Sequence, residues 1–194
     1  MKSPLIMVIA FLLATTVHAQ IKIPLKANNS GLRNDLQKVV EAYPHQFQEI
    51  RGNEVATNPQ SVEYASLVKP AGAQEATIIK YSSGTKPVYS WQSVLMTTED
   101  YEEAAKKYKS VFNQLKGMNI TYVVDKYTLR GKYEEASEEV GFSTSVLTPA
   151  YPPAALKKLK VEVSIQFEFP EWKVSVAVFE KEKEDEDQYG EDAE

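Results

Sequence analysis

The amino-acid sequence predicts an α+β protein in which two principal helices pack on one face of a mainly antiparallel sheet. Three observations lead to this class. Two segments, at 32–43 and 101–115, repeat apolar residues at helical spacing. Several short runs of β-branched and aromatic residues, separated by turn signals, predict strands. The last of these runs alternates apolar and polar residues, which is typical of strands with one buried and one solvated face.

The first helix is predicted to begin after Ser30, because the Ser30 hydroxyl is suited to capping the N–H groups of a first helical turn. Pro44 is expected to end or bend this helix, since proline has no N–H to donate. The apolar face of the helix consists of Leu32, Leu36, Val39, Val40 and Tyr43.

The second helix has the clearest signals in the chain. Thr97 or Thr98 is expected to cap it, and acidic residues fill the first turn, where they interact favourably with the helix dipole. Gly117 suits the left-handed position that ends a helix. The stripe predicted to face the core consists of Tyr101, Ala104, Ala105, Tyr108, Val111, Phe112 and Leu115.

Strands are predicted at 63–69, 76–82 and 87–97, with a turn at 82–85 that makes the last two a hairpin. After the second helix, strands are predicted at 120–124 and 127–133, and another apolar run follows at 141–147. The prolines between 149 and 153 mark a loop with room for one helical turn. A final hairpin is predicted from 161–169 and 172–178, turning at Pro170-Glu171.

The two halves of the domain, 30–97 and 98–180, share a pattern that favours an internal duplication. The segment 47–52 matches 112–117 as aromatic, two polar residues, aliphatic, basic and glycine. Each match ends a helix and precedes about three strands, so the predicted order is helix, three strands, helix, three or more strands. Because any amphipathic helix that stops at a glycine resembles this pattern, chance similarity remains the alternative.

This element order resembles TATA-binding-protein-like folds and other folds that pack helices on an antiparallel sheet. The chain also resembles uncharacterised exported proteins of Bacteroidetes bacteria. The segments that carry this resemblance are Tyr89-Ser90-Trp91 before Thr97-Thr98-Glu99-Asp100, and Glu171-Trp172-Lys173-Val174-Ser175 with the charged tail. Neither resemblance implies an activity or a binding residue for this chain.

Residues 1–19 have the pattern of a secretory signal peptide. A lysine precedes an apolar run that is too short to span a bilayer comfortably, and Val17-His18-Ala19 fits the cleavage site. An uncut membrane anchor is the less favoured alternative. The expected organisation is a signal peptide at 1–19, an extended leader at 20–29, one domain at 30–180 and a disordered acidic tail at 181–194. The mature protein is therefore expected to be exported, either periplasmic or secreted, without a transmembrane segment after cleavage.

Composition excludes several kinds of chemistry. The chain has no cysteine, so it has neither disulfides nor thiol-based catalysis or metal binding. After signal cleavage His45 is the only histidine left, and it is expected to lie partly exposed in a loop. Most of the excess acid lies in 180–194, which holds nine acidic residues and two lysines. The rest of the mature chain is nearly neutral, which argues against a nucleic-acid partner.

Several clusters remain as candidate sites, each with a plainer interpretation. Glutamates 134, 135, 138 and 139 could act as catalytic carboxylates, but an ordinary charged loop explains them. The tail segment 184–190 faintly resembles a calcium loop without being an EF-hand. Lysines 157, 158 and 160 are expected to form a solvated edge. Trp91 and Trp172 could line a groove for sugar or peptide, although a core position is favoured.

No phosphate-binding loop, dinucleotide fingerprint or nucleophile elbow is present in the sequence. The sequence therefore predicts an exported binding or interaction protein that is not an enzyme and needs no cofactor, metal or catalytic residue. Recognition is expected on the sheet face or loops that the helices leave uncovered, with an unidentified protein or small molecule as ligand. The alternatives are a chaperone-like module that uses the edge of the final hairpin and a small hydrolase that uses carboxylates. Homodimerisation is left open.

Overall fold

The computed structural model describes residues 29–82 and 86–180. Within them lie helices α1 and α2 and nine strands, β1–β9, which form one antiparallel sheet in the order β1-β2-β3-β4-β9-β8-β7-β6-β5. The elements are α1 (Asn29–Ala42), β1 (Arg51–Asn58), β2 (Ser61–Ser66), β3 (Glu75–Tyr81), β4 (Val88–Thr98), α2 (Tyr101–Leu115), β5 (Asn119–Tyr122), β6 (Asp125–Arg130), β7 (Phe142–Pro149), β8 (Leu159–Glu168) and β9 (Glu171–Glu180). The predicted α+β class with a mainly antiparallel sheet is confirmed.

Both helices have the apolar faces that the sequence predicts. Leu36, Val39 and Val40 of α1 are fully buried, as are Tyr108 and Leu115 of α2. They share one core with the inward residues of the sheet. Helix α2 packs on β4, β8 and β9, and α1 packs beside α2 and against β5. The core therefore lies between the helices and one face of the sheet.

The helix caps correct two predictions. Helix α1 begins at Asn29, so Ser30 is inside the helix rather than its cap, and the predicted helix start after Ser30 is two residues late. Asp100, not Thr97 or Thr98, caps α2, because its carboxylate accepts a hydrogen bond from the Glu103 N–H at 3.1 Å. Gly117 does take the left-handed conformation, with φ at 77°.

Pro44 ends α1 as expected, and a 3-10 turn (Tyr43–His45) follows Ala42, with a second at Gln48–Ile50. The helical turn expected in the proline-rich loop is a third 3-10 turn, Ala154–Leu156. The remaining predicted strands are found with shifted ends, but β1 is missing from the prediction. Most of its residues are exposed, so β1 lacks the apolar alternation that identifies a half-buried strand.

The two edges of the sheet differ. At β5, the Gln37 side chain of α1 donates to the Thr121 carbonyl at 2.7 Å and accepts from the Thr121 N–H at 2.8 Å. These bonds satisfy the backbone of an edge strand in place of a tenth strand. At the opposite edge, β1 has register shifts between Arg51 and Glu54 and between Glu54 and Ala56, and such bulges disfavour pairing with another chain.

The final hairpin is not at an edge. Strand β9 pairs with β4 as well as β8, and β8 pairs with β7. The expectation that this hairpin has an exposed edge, on which the chaperone-like alternative depends, is therefore wrong, because both strands already have two neighbours.

The predicted signal peptide, the leader up to residue 28, the acidic tail and most of the turn at 82–85 lie outside the described residues. In the sheet, the strands of the two predicted halves lie on opposite sides of the β4–β9 pair. The first half has four strands and the second has five. The internal duplication stays a prediction.

Candidate functional site

The face of the sheet that points away from the core is the candidate site. In an antiparallel pair, residues directly opposite each other have their side chains on the same face. Val163 and Val176 face each other across β8 and β9 and are fully buried, so they mark the core face. Their neighbours in the chain alternate to the other face, where Ser164 lies opposite Ser175. We call this second surface the open face.

A concave pocket of about 210 Å³ lies in the middle of the open face. We call it the open-face pocket. Its lining side chains come from the neighbouring strands β2, β3, β4, β9 and β8: Glu63, Glu75, Thr77, Ile79, Gln92, Val94, Lys173, Ser175, Ser164, Gln166 and Glu168. Nine of these eleven are polar or charged, so this surface is suited to a polar ligand rather than to a second apolar layer.

Short side chains create the hollow. Ser175 is opposite Ser164 on one side and Val94 on the other, and it is only 8 % exposed. In the next row, Gln92 lies between Thr77 and Ala177. Serine, threonine and alanine at the centre reach less far from the sheet than the glutamates, glutamine and lysine of the same face. The pocket therefore follows from side-chain length on strands that cross the middle of the sheet.

The pocket has an excess of negative charge. Three of its side chains are carboxylates, Glu63, Glu75 and Glu168, and one is an ammonium, Lys173. Lys173 forms an ion pair with Glu168 across the β8–β9 hairpin. Glu63 and Glu75 take part in none of the ion pairs between described residues. Carboxylates accept hydrogen bonds and attract cations, so the pocket favours neutral or cationic ligands with hydroxyl or amino groups.

Glu162 adds a partly buried carboxylate next to the pocket. It lies on the open face opposite Ala177, two residues before Ser164 on the same strand. Its immediate cross-strand neighbour on β7 is Val146, which is apolar. Burial raises the pKa of Glu162 above its ordinary value.

The two tryptophans that the sequence offers as a stacking groove are in the core. Trp91 is fully buried and its indole N–H donates to the Ser66 hydroxyl at 2.9 Å. Trp172 is 5 % exposed, with its ring centroid 5.0 Å from Tyr101 and 5.1 Å from Phe167. The core interpretation of these residues is confirmed, because neither ring offers a face to a ligand.

The glutamates at 134, 135, 138 and 139 lie exposed on the irregular segment between β6 and β7, as the charged-loop interpretation expects. Two parts of this segment contact the core: the ring of Tyr133, whose centroid lies 5.4 Å from that of Tyr108, and the backbone of Glu134. The Glu134 carbonyl accepts from the Tyr108 hydroxyl at 3.0 Å, and the Glu134 N–H donates to the Ser145 hydroxyl at 2.9 Å. Tyr108 and Ser145 also bond each other at 2.6 Å.

The other candidate residues are on the surface. His45 is exposed at the first 3-10 turn, where its Nδ1 lies 2.5 Å from Glu49 Oε1. Lys158 pairs with Glu180 at 2.6 Å, at the ends of the last two strands. Over residues 29–82 and 86–180, no group of three or more His, Cys, Asp or Glu side chains is placed to hold a metal ion. The calcium-like segment at 184–190 lies outside the described residues.

The sequence predicts recognition on the sheet face or loops that the helices leave uncovered, but it does not predict the open-face pocket or most of its lining residues. The alternation of Glu162, Ser164, Gln166 and Glu168 predicts a solvated face. Nothing in that alternation shows that β3 and β4 continue the same face, because their pairing with β9 is long-range.

In the described part of the chain, neither α-helix has the length and apolar character needed to cross a membrane. Comparisons of the chain with protein-family models, with curated proteins and with solved structures return no match. The resemblances to exported Bacteroidetes proteins and to TATA-binding-protein-like folds therefore stay predictions.

Proposed function

We propose that this chain is an exported binding protein that holds a small polar ligand in the open-face pocket. The observation that carries the proposal is the pocket itself, a polar hollow at the centre of the sheet face opposite the helices. Export is supported by the signal-peptide pattern at 1–19, which favours a periplasmic or secreted protein.

The lining defines the chemistry of the ligand. Hydroxyls of Thr77, Ser164 and Ser175 and the amides of Gln92 and Gln166 both donate and accept hydrogen bonds. Glu63 and Glu75 accept only, so they select ligand groups that donate. A ligand with hydroxyl or amino groups satisfies both requirements. An anionic ligand would be repelled by the excess of carboxylates.

The size of the pocket limits how much of the ligand is held. A volume of about 210 Å³ lies below the roughly 300–1,000 Å³ of pockets that enclose drug-sized ligands. The part of the ligand that enters the pocket is therefore one small ring or a short chain, and we propose a single sugar or amino-sugar unit. Ile79 and Val94 are apolar lining residues that can contact the less polar face of such a ring.

We propose binding without catalysis. The alternative of a carboxylate hydrolase requires two carboxylates on either side of the bond that is cleaved. The pocket places Glu63 and Glu75 on neighbouring strands and pairs its third carboxylate, Glu168, with Lys173. Product analysis of each bound ligand after long incubation separates the two functions, since recovery of unchanged ligand supports binding alone.

The test is a titration of residues 20–194 with neutral monosaccharides, amino sugars and small diamines, followed by amide chemical shifts and thermal unfolding. A ligand at 100 times its dissociation constant stabilises the folded state by about 2.7 kcal/mol. That corresponds to a rise in melting temperature of about 5–11 °C for a protein of this size. Shift changes are expected at 164–166, 173–175 and 92–94.

Two variants that fill the pocket test whether the ligand binds there. Ser164→Val and Ser175→Val fill the hollow with residues that favour strands, so they should abolish binding without unfolding the sheet. Thr144→Val is the matched control, because Thr144 is opposite Ser164 on the open face but does not line the pocket. Binding that survives both filling variants, or shift changes confined to the helices, would refute the proposed site.

A further inference from the structure

A second hollow lies on the other side of the molecule, between α1 and α2. This helix groove has a volume of about 790 Å³ and is lined by Arg33 of α1 and by Lys106, Lys109, Ser110 and Asn113 of α2, among others. The α2 residues recur every three or four positions, so they form one exposed ridge along the helix. The groove is separate from the open-face pocket, because the sheet and the core lie between them.

The helix groove is positively charged. Its lining includes three cations and no carboxylate. Among the ion pairs between described residues, none involves Arg33, Lys106 or Lys109. Arg33 Nε donates to the Gln114 carbonyl at 2.6 Å, and the Lys109 ammonium lies 5.6 Å from the centroid of the Tyr133 ring. These contacts hold Arg33 and Lys109 beside the groove without pairing either charge with a carboxylate.

The chain itself contains a segment of opposite charge. Residues 181–194 hold eight acidic residues and two lysines, while the groove offers three cations. The nine residues before α1 have the wrong sign, because their charged residues are Lys22 and Lys26. Charge complementarity thus favours the acidic segment as the occupant of the groove.

The acidic segment starts close enough to reach. Strand β9 ends at Glu180, which lines a shallow hollow together with Tyr43 and Pro44 at the end of α1. Arg33 precedes Tyr43 by ten residues, which is about 15 Å along a helix axis. Fourteen residues span up to about 46 Å when extended, so 181–194 can run along α1 to the groove.

We propose that residues 181–194 dock in the helix groove of the same chain through ion pairs with Arg33, Lys106 and Lys109. The docked segment covers the helix layer and leaves the open-face pocket accessible. Because the groove is solvent-exposed and the contacts are ionic, docking weakens as salt rises. The Debye length falls from about 30 Å at 0.01 M salt to about 3 Å at 1 M.

The absence of cysteine allows a direct test by paramagnetic relaxation. Tyr189→Cys in residues 20–194 gives one labelling site for a nitroxide and leaves the charge of the segment unchanged. At low salt, the amide signals of 106–113 are expected to lose most of their intensity in the oxidised sample relative to the reduced one. In 1 M salt this loss is expected to disappear.

Charge variants identify the groove. Lys106→Glu/Lys109→Glu should remove the low-salt broadening, whereas Lys69→Glu/Lys86→Glu should retain it, because those lysines are exposed on the β2–β4 side of the molecule. Undisturbed amide signals of β8 and β9 confirm that each variant is folded. Broadening that persists after the groove charges are reversed, or no broadening at 106–113 in the parent, would overturn the proposal.

A mixed sample distinguishes docking within one chain from docking between two chains. Isotope-labelled protein without the nitroxide is combined with unlabelled protein that carries it. Unaffected signals in this mixture, with broadening in the singly labelled chain, support docking within one molecule. Equal broadening in the mixture would overturn intramolecular docking and assign the groove to a second copy.

Discussion

Gly131→Ala tests whether β6 and β7 approach as closely as the structure shows. Gly131 follows β6, and a Cβ atom at this position would lie 2.0 Å from the Val146 carbonyl oxygen and 3.0 Å from a Leu147 methyl. Ordinary contacts between carbon and oxygen are about 3.3–3.6 Å. The two strands must therefore move apart by more than about 1 Å to admit one methyl group.

The cost follows from what that movement disrupts. Strand β6 is joined to β7 by two residue pairs, Leu129 with Pro149 and Arg130 with Thr148. Overpacking costs about 1–3 kcal/mol, and each weakened backbone hydrogen bond adds about 1 kcal/mol. We expect Gly131→Ala to lower the free energy of unfolding by about 3 kcal/mol, which is roughly a 6–12 °C lower melting temperature.

The assay is urea unfolding of residues 20–194, followed by circular dichroism. Gly31→Ala is the matched control, since a Cβ at Gly31 meets nothing within 4 Å and the residue lies in α1. Alanine is favoured over glycine inside a helix by up to about 1 kcal/mol, so the control should be neutral or stabilising. A Gly131→Ala variant as stable as the parent would refute the close approach of β6 and β7.

Three further predictions concern single polar side chains. Asp100→Ala should cost about 1 kcal/mol in urea unfolding, because it removes the α2 cap. Burial raises the pKa of Tyr108 from 10.0 to about 12. The folded state therefore keeps the proton longer, and stability should fall as pH rises from 10.0 through about 12. Tyr108→Phe should reduce that alkaline loss, which other tyrosines with raised pKa values share, and should cost about 1–3 kcal/mol at pH 7, since its partners lose a buried donor. For Glu162, whose pKa is raised by burial, stability should fall as pH rises from 4.5 through the folded value. Glu162→Gln should flatten this dependence and be more stable than the parent at pH 7, as measured by unfolding at pH 4 and pH 7.

Local patterns account for the parts of the fold that were predicted correctly. The buried faces of both helices follow from a repeat of three to four residues, and the faces of β8 and β9 follow from a repeat of two. The left-handed stop at Gly117 and the end of α1 before Pro44 are also local. These signals are reliable because each depends on residues within one or two turns.

Two errors of the prediction, the wrong cap of α2 and the missed strand β1, have different local causes. Thr98, Asp100 and Glu103 all take part at the start of α2, where the Thr98 hydroxyl accepts from the Asp100 N–H at 3.2 Å and donates to Glu103 Oε2 at 3.0 Å. Backbone geometry decides that Asp100 caps the helix. Strand β1 has no apolar alternation, so only its pairing with β2 identifies it.

By itself, the sequence determined the α+β class, the core-facing stripes of the helices and the solvated side of the last hairpin, because side-chain periodicity follows from backbone geometry. Only the tertiary structure decided which residues meet in the open-face pocket and in the helix groove. Pairing of β4 with β9 brings Gln92 and Ser175 onto one face, although more than eighty residues separate them in the chain. Packing of α1 beside α2 brings Arg33 to Lys106 and Lys109 in the same way. Pairing between strands that are distant in the chain depends on the free energy of the whole core, and a local sequence pattern does not reveal it.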